Sequence, residues 1–221
     1  MYFPNTYHKT VIAKNYWLGI FPCTLAQYER ITTGKSTDTD AKMYPDSGNS
    51  YITIRGTSGA GANVGNGIMK TLAVNTSGKG RADGAFDLPT ESMWEIAARA
   101  GDTTGMYLGG SISGIAKYAW TGSVNKVGLK DPNAWGFYDQ FGNRWERCRD
   151  VKNTADLATL QSNGLAPITT SSTSSEMAMR GSSSDGTTGS AEHWLRYSGR
   201  HGNQMNGTWG NVTFRIAFVA E

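Results

Sequence analysis

The sequence predicts an α+β fold in which two short helices and many short antiparallel strands are joined by long ordered loops. Three observations predict it: two well-marked helix starts, a stretch near the C-terminus that alternates apolar and polar residues, and turn-forming residues almost everywhere else. Glycine occurs 28 times in 221 residues, while seven Trp, seven Phe and ten Tyr supply bulk for a core. A chain of this length can bury a substantial core as a single domain over residues 1–221.

Taken in order, alternation in "KTVIAKNYWLGIF" reads as strand. Thr24-Leu25-Ala26-Gln27 is a capping-box pattern opening a helix that stops at Gly34, with Leu25, Tyr28 and Ile31 on its inner face. Next, "RGTSGAGANVGNG" (Arg55 to Gly67) reads as a plain glycine loop. It lacks both the G-K-[ST] ending and the G-x-G-x-x-G spacing of phosphate-binding loops. A second helix starts in "LPTESMWEIAARAG", with Thr90 as N-cap, Glu91 in the first turn, Arg99 in the last and Gly101 beyond it. Met93, Trp94, Ala97 and Ala98 form its buried stripe. "PITTSSTSSE" (Pro167 to Glu176) is a polar loop. In "VTFRIAFV", Phe214, Ile216 and Phe218 alternate with Thr213, Arg215 and Ala217 as in one half-buried strand.

Several functional classes are disfavoured. A net charge of +3 without a basic run argues against a nucleic-acid partner or an anionic membrane. The opening "MYFPNTYHKTVIA" lacks the regions of a signal peptide, and no apolar run is long enough for membrane insertion. Cys23 and Cys148 lie far apart and read as free buried thiols. His8, His193 and His201 have no metal-ligand spacing, and no G-x-S-x-G elbow accompanies the many serines.

The segment "DPNAWGFYDQFGNRWERCRD" (Asp131 to Asp150) interleaves Trp135, Phe137, Tyr138, Phe141 and Trp145 with glycine and asparagine. Large rings in a turn-rich stretch anchor it to a core. Asp139 and Glu146 are either solvated acids or two carboxylates near loop carbonyls, the hard-oxygen chemistry of calcium.

"LPTESMWEIAARAG" and "PNAWGFYDQFGNRWERCRD" resemble two signature segments of the formylglycine-generating enzyme, or sulfatase-modifying factor, family. "YWLGIFPCTLAQY" is similar to that family's opening segment, and "MRGSSS" followed by "FRIAF" stands where it has R-G-G-S-W and G-F-R-x-A. The resemblance runs from about residue 16 to residue 219 and implies the family's variant of the C-type lectin fold. It also implies a calcium site, with carboxylates from Asp139 and Glu146 and carbonyls from Gly142 and Arg144, the ion being structural rather than a required cofactor. Catalytic members carry two cysteines shortly after R-G-G-S-W that bind copper. Here the corresponding places, near Gly186 and Ala191, hold no thiol. Sulfoxide synthases of the same fold take iron ligands from an added helical domain, for which this chain has no room.

The resemblance extends to a non-enzymatic group, the variable proteins of diversity-generating retroelements. In these, the segment between the R-G motif and the terminal F-R strand is rewritten at adenines, and the fold holds the varied side chains on one face. The corresponding region here is 182–213, rich in Asn, Ser, Gly, Thr, Tyr, His and Asp, which adenine-rich codons yield. From Asn153 onward there is no lysine, whereas Arg180, Arg196, Arg200 and Arg215 remain. Aromatics with Ser, Gly, Asn and Arg, and without Lys, is a contact-surface composition.

The expectation is therefore a non-enzymatic receptor-binding or adhesive protein recognising a protein or glycan through Trp194, Tyr197, Arg200, His201, Asn203, Asn206, Trp209 and Asn211. Arg180 and Arg215, inside framework motifs, are expected to be structural. Such a protein belongs on a phage tail fibre or a bacterial cell surface, as a monomer or part of a larger fibre. The alternative is a formylglycine-generating oxidase or related enzyme.

Overall fold

The computed structural model describes residues 10–37, 39–56, 60, 64–79, 84–103, 105, 107–152, 164–165, 167, 176–184 and 191–220. His8, Gly186 and most of the Ser/Thr run from Pro167 to Glu176 lie outside these. Two small sheets carry the architecture. In the first, β7 (Ala217–Ala220) is flanked antiparallel by β1 (Tyr16–Leu18) and β2 (Gly84–Asp87). In the second, the order is β5 (His201–Gln204), β4 (Glu176–Arg180), β3 (Trp145–Val151), β6 (Val212–Phe214). Its pairings are antiparallel except β3 with β6, which is parallel.

Both foreseen helices form. α1 (Leu25–Thr33) has the full capping box at Thr24 and Gln27 and stops at Gly34 in the left-handed conformation. Its buried residues are Ala26 and Ile31, with Tyr28 packed at the core margin; Leu25 faces outward, a departure from the expected stripe. α4 (Glu91–Arg99) is capped by Thr90 and buries Met93, Trp94, Ala97 and Ala98, together with the acidic Glu91.

Where it is described, the glycine stretch is the loop expected, and it joins two helices. Its first residue ends α2 (Tyr51–Arg55) and its last caps α3 (Ile68–Thr76), two helices the sequence does not announce. The glycines let backbones touch between them: a Cβ at Gly65 would lie 2.1 Å from the carbonyl oxygen of Gly56, and one at Gly67 2.4 Å from the Gly56 nitrogen. Arg55, fully buried, pairs with Asp87 through Nε (2.6 Å) and Nη2 (2.8 Å), tying α2 to the end of β2. A further short helix, α5 (Ala191–Trp194), precedes β5.

The C-terminal stretch is also not one half-buried strand. It divides into β6 and β7, which belong to different sheets, and the crossing falls at Arg215 and Ile216. Arg215 is fully buried. Its Nε and Nη2 donate to the Glu146 carboxylate at 3.0 and 2.7 Å, its Nη1 to the carbonyls of Gly19 (2.9 Å) and Ile20 (2.6 Å), and its Nη2 to that of Tyr138 (2.8 Å). The N-terminal segment follows the crossing, with Gly19 N donating to Ile216 O and Cys23 N to Phe214 O.

Because successive strand residues face opposite ways, β3 serves two clusters. Cys148 packs with Trp94, Phe141, Ala178 and Tyr197 beneath α4, while Trp145 packs with Met179 and Val212 on the other face.

Replacing Arg215 with Leu leaves the Glu146 carboxylate uncompensated in the interior, so a loss of about 3–5 kcal/mol is expected from denaturant unfolding. Arg215→Lys should recover only part, since an ammonium cannot span three carbonyls and a carboxylate.

Candidate functional site

The C-terminal region expected to make contacts is built on the Trp145 face of β3. β5 pairs with β4 in the register Met177↔Asn203, Ala178↔Gly202, Met179↔His201, which sets the imidazole of His201 over Met179. There it meets Trp145 at a centroid distance of 5.1 Å and Trp194 at 5.2 Å. The two indoles meet edge-on at 5.8 Å. Trp209 joins the far side of His201 at 6.2 Å and remains 46% exposed. The result is a column of rings that ends in an open indole.

The turn carrying Trp209 is tethered to the scaffold. Arg147, fully buried, donates to Gly207 O at 2.6 Å and Asn49 O at 3.1 Å, and Ile52 N donates to Met205 O at 3.2 Å. Trp145 N closes the far end on Asn211 O at 2.9 Å.

Of the eight expected contact residues, Asn206 and Trp209 are exposed, and Trp194, His201 and Asn211 are half-buried beside them. The other three are drawn into the framework. Tyr197 is 1% exposed, edge-on to Phe141 at 5.7 Å and beneath the Arg99 guanidinium. Burial, reinforced by Asp102, pushes its phenol up to about 12. Asn203 is buried under Gly207, where a Cβ would come within 2.3 Å of its Oδ1. Arg200 donates through Nε to Glu91 Oε1 at 2.7 Å and through Nη2 to Oε2. Burial of Glu91 opposes its charge, but Arg200 and Arg180 overcome that and hold its carboxyl below the ordinary range. Arg180 completes the network by reaching Glu95 and the carbonyl of Tyr197. Thr208, which composition alone did not single out, is exposed between Asn206 and Trp209 in the sequence.

The donor sets for metals can be tested on the same geometry. Both oxygens of Glu146 are taken, by Arg215 and by the Trp94 indole N–H at 2.8 Å. Asp139 accepts from Gly128 N at 2.7 Å, and burial raises its carboxyl above the usual range. Its other oxygen accepts from Asn143 Nδ2 at 3.4 Å, and the Arg215 guanidinium acts on it as well, so the expected set with Glu146 and the carbonyls of Gly142 and Arg144 does not fit Ca²⁺. Among the described residues no group of three or more His, Cys, Asp or Glu is placed to hold a metal. The thiols fit copper no better. Cys23 and Cys148 lie in separate core clusters, and burial raises both thiols, which opposes the thiolate form that copper requires.

The sulfatase-modifying factor enzyme 1-like domain model matches residues 4–220. The chain belongs to this family. No curated protein sequence matches it. Among solved structures, variable protein 1 of Treponema denticola superimposes with a TM-score of 0.69 at 20% identity, over 91% of this chain and 84% of that one. PvdO of Pseudomonas aeruginosa gives 0.73 at 19%, over 95% and 82%, and CarF gives 0.65 at 13%, over 93% and 87%. The fold is thus the formylglycine-generating-enzyme-type variant of the C-type lectin fold. Among the described residues no helix of this sulfatase-modifying factor relative is long and apolar enough to cross a membrane.

Two expectations follow for this face. Arg200→Ala should cost roughly 3 kcal/mol, because Glu91 stays buried with a weakened partner set, whereas Trp209→Ala should cost no more than about 1 kcal/mol. Thermal and denaturant unfolding check the contrast. His201 is held neutral, its basicity lowered by burial and then by Lys152. A base depressed in the folded state contributes stability that is present above its unfolded pKa, about 6.5, and is lost as the pH falls below it. Between pH 7 and pH 5 the parent chain should therefore lose more stability than His201→Gln.

Proposed function

We propose that the chain is a non-enzymatic ligand-binding protein, receptor-binding or adhesive, whose contact face is rewritten by a diversity-generating retroelement. The observation that carries this reading is the exposed Trp209 indole, held at the end of a rigid ring column above a framework locked by buried ion pairs. Rigid aromatic area flanked by small polar side chains gives binding energy at low entropic cost. The sequence window 182–213 remains the region of exchange, and the positions within it that touch no core are the ones that vary. The fold shared with variable protein 1 of Treponema denticola is consistent with this use of the scaffold. The reading places the protein on a phage tail fibre or a bacterial surface.

Family membership keeps an oxidase as the second reading. With only two cysteines, buried in different clusters, the chain lacks the thiolate pair of the copper enzymes. Labelled protein applied to a panel of intact bacterial cells should stain a subset. The Trp209→Ala/Asn206→Ala variant should lose that staining about tenfold or more with little change in thermal midpoint. Stoichiometric copper binding with conversion of a cysteine-containing sulfatase peptide would decide for the oxidase.

A further inference from the structure

The chemistry around Trp209 identifies the class of ligand. The cations nearest the ring column are buried, turned away or paired. Arg147 is fully buried under the turn and donates to Gly207 O, Arg200 is bound to Glu91 on the far side of the strand, and Lys152 faces Glu176 at 3.4 Å. Residues 193–220 contain no carboxylate at all. A cationic ligand finds no counter-charge on the 193–220 segment, and an anionic one finds Arg147 buried beneath the turn and Arg200 turned to the far face. What the face offers instead is a half-exposed indole beside Asn206 and Thr208, two exposed neutral side chains that donate and accept hydrogen bonds.

Size separates the two neutral candidates, a protein surface and a sugar. A stable protein interface covers about 800 Å² on each side and is anchored by several desolvated aromatic or arginine side chains. Among the described residues at this turn, the exposed large apolar side chains are Trp209 and the smaller Ile52, whose amide donates to Met205 O, and Trp209 is the one exposed ring of residues 193–220. One ring with flanking hydroxyl and carboxamide groups matches a single pyranose. Its C–H face carries slight positive charge and lies over the electron-rich indole face, while its hydroxyls reach the polar neighbours.

We infer that the Trp209 face binds a neutral glycan by stacking one pyranose ring on the indole, with Asn206 and Thr208 taking its hydroxyls and no metal ion taking part. This inference rests on the ligand-binding reading and narrows it.

The test is an immobilised panel of neutral gluco-, galacto-, manno- and N-acetylglucosamine-containing oligosaccharides, with sialylated and sulfated chains alongside, probed in EDTA. At least one neutral chain should be retained. Trp209→Ala should weaken that retention about tenfold or more, and Trp209→Phe by less, with the thermal midpoint held. Retention of no neutral chain, of anionic chains only, or equally by Trp209→Ala overturns the inference. Cells stained by the protein, treated with protease or with periodate, separate this inference from the reading beneath it. Staining that survives protease and is lost after periodate supports the glycan. Trp209-dependent staining that is lost after protease and survives periodate overturns the glycan but leaves a ligand-binding protein. Staining of cells that never depends on Trp209 overturns both.

Discussion

The guanidinium of Arg215 is the constraint on which the two sheets depend. The chain leaves the four-stranded sheet at Phe214 and enters the three-stranded sheet at Ala217, and of the two residues between, Arg215 is fully buried and Ile216 partly so. An interior crossing brings carbonyls of separate segments together, and such groups are costly unless satisfied. Arg215 satisfies three of them, on Gly19, Ile20 and Tyr138, and the Glu146 carboxylate balances its charge. It fills with a planar side chain the role that a bound cation would fill with a sphere. This also explains why Glu146 is unavailable to calcium: placing a second positive charge there would require expelling the first.

The same pair acts on the opposite face of the sheet. Trp145 precedes Glu146 on β3, so fixing the carboxylate beneath α4 fixes the indole that supports His201. β5 repeats the device, with Arg200 bound to Glu91 immediately before His201 enters the ring column. Two of the four rings, Trp145 and His201, are thus set by an ion pair one residue away on the far side of the strand. Buried pairs add little net stability compared with apolar packing, but their directionality specifies one geometry. A contact face needs that specificity more than it needs additional stability.

Much of this was legible in the sequence where the signal is local. Thr24 with Gln27, Thr90, and the stripe of Met93, Trp94, Ala97 and Ala98 obey rules that span only a turn or two of helix, and both helices form as read. The motifs around "LPTESMWEIAARAG" and "NRWERC" carry the fold for the same reason: they are contiguous. What was hidden depends on partners distant in the chain. α3 has no side-chain cap, and its glycine boundary resembles any flexible loop until Gly56 and Gly67 meet. Alternation in "VTFRIAFV" is real, yet it cannot reveal that Arg215 lies inside, because the compensating Glu146 is 69 residues away. Tyr197 and Arg200 looked like contact residues by composition, and Phe141 and Glu91 draw them inward.

These anchors narrow what exchange on the proposed contact face could do. Between Trp194 and Asn211, substitution at Tyr197, Arg200 or Asn203 acts first on the framework: on the Phe141 contact, on the charge of Glu91, or on the close approach of Gly207. Substitution at Asn206, Thr208 or Trp209 meets solvent and leaves the hydrogen bonds from Arg147 to Gly207 and from Trp145 to Asn211 in place, since both are accepted by backbone carbonyls. A turn held by its main chain keeps its shape whatever side chains it presents. The fold can therefore tolerate wide variation at a few positions and little at their neighbours, so any diversity in specificity is concentrated in the side chains ringing the end of the aromatic column.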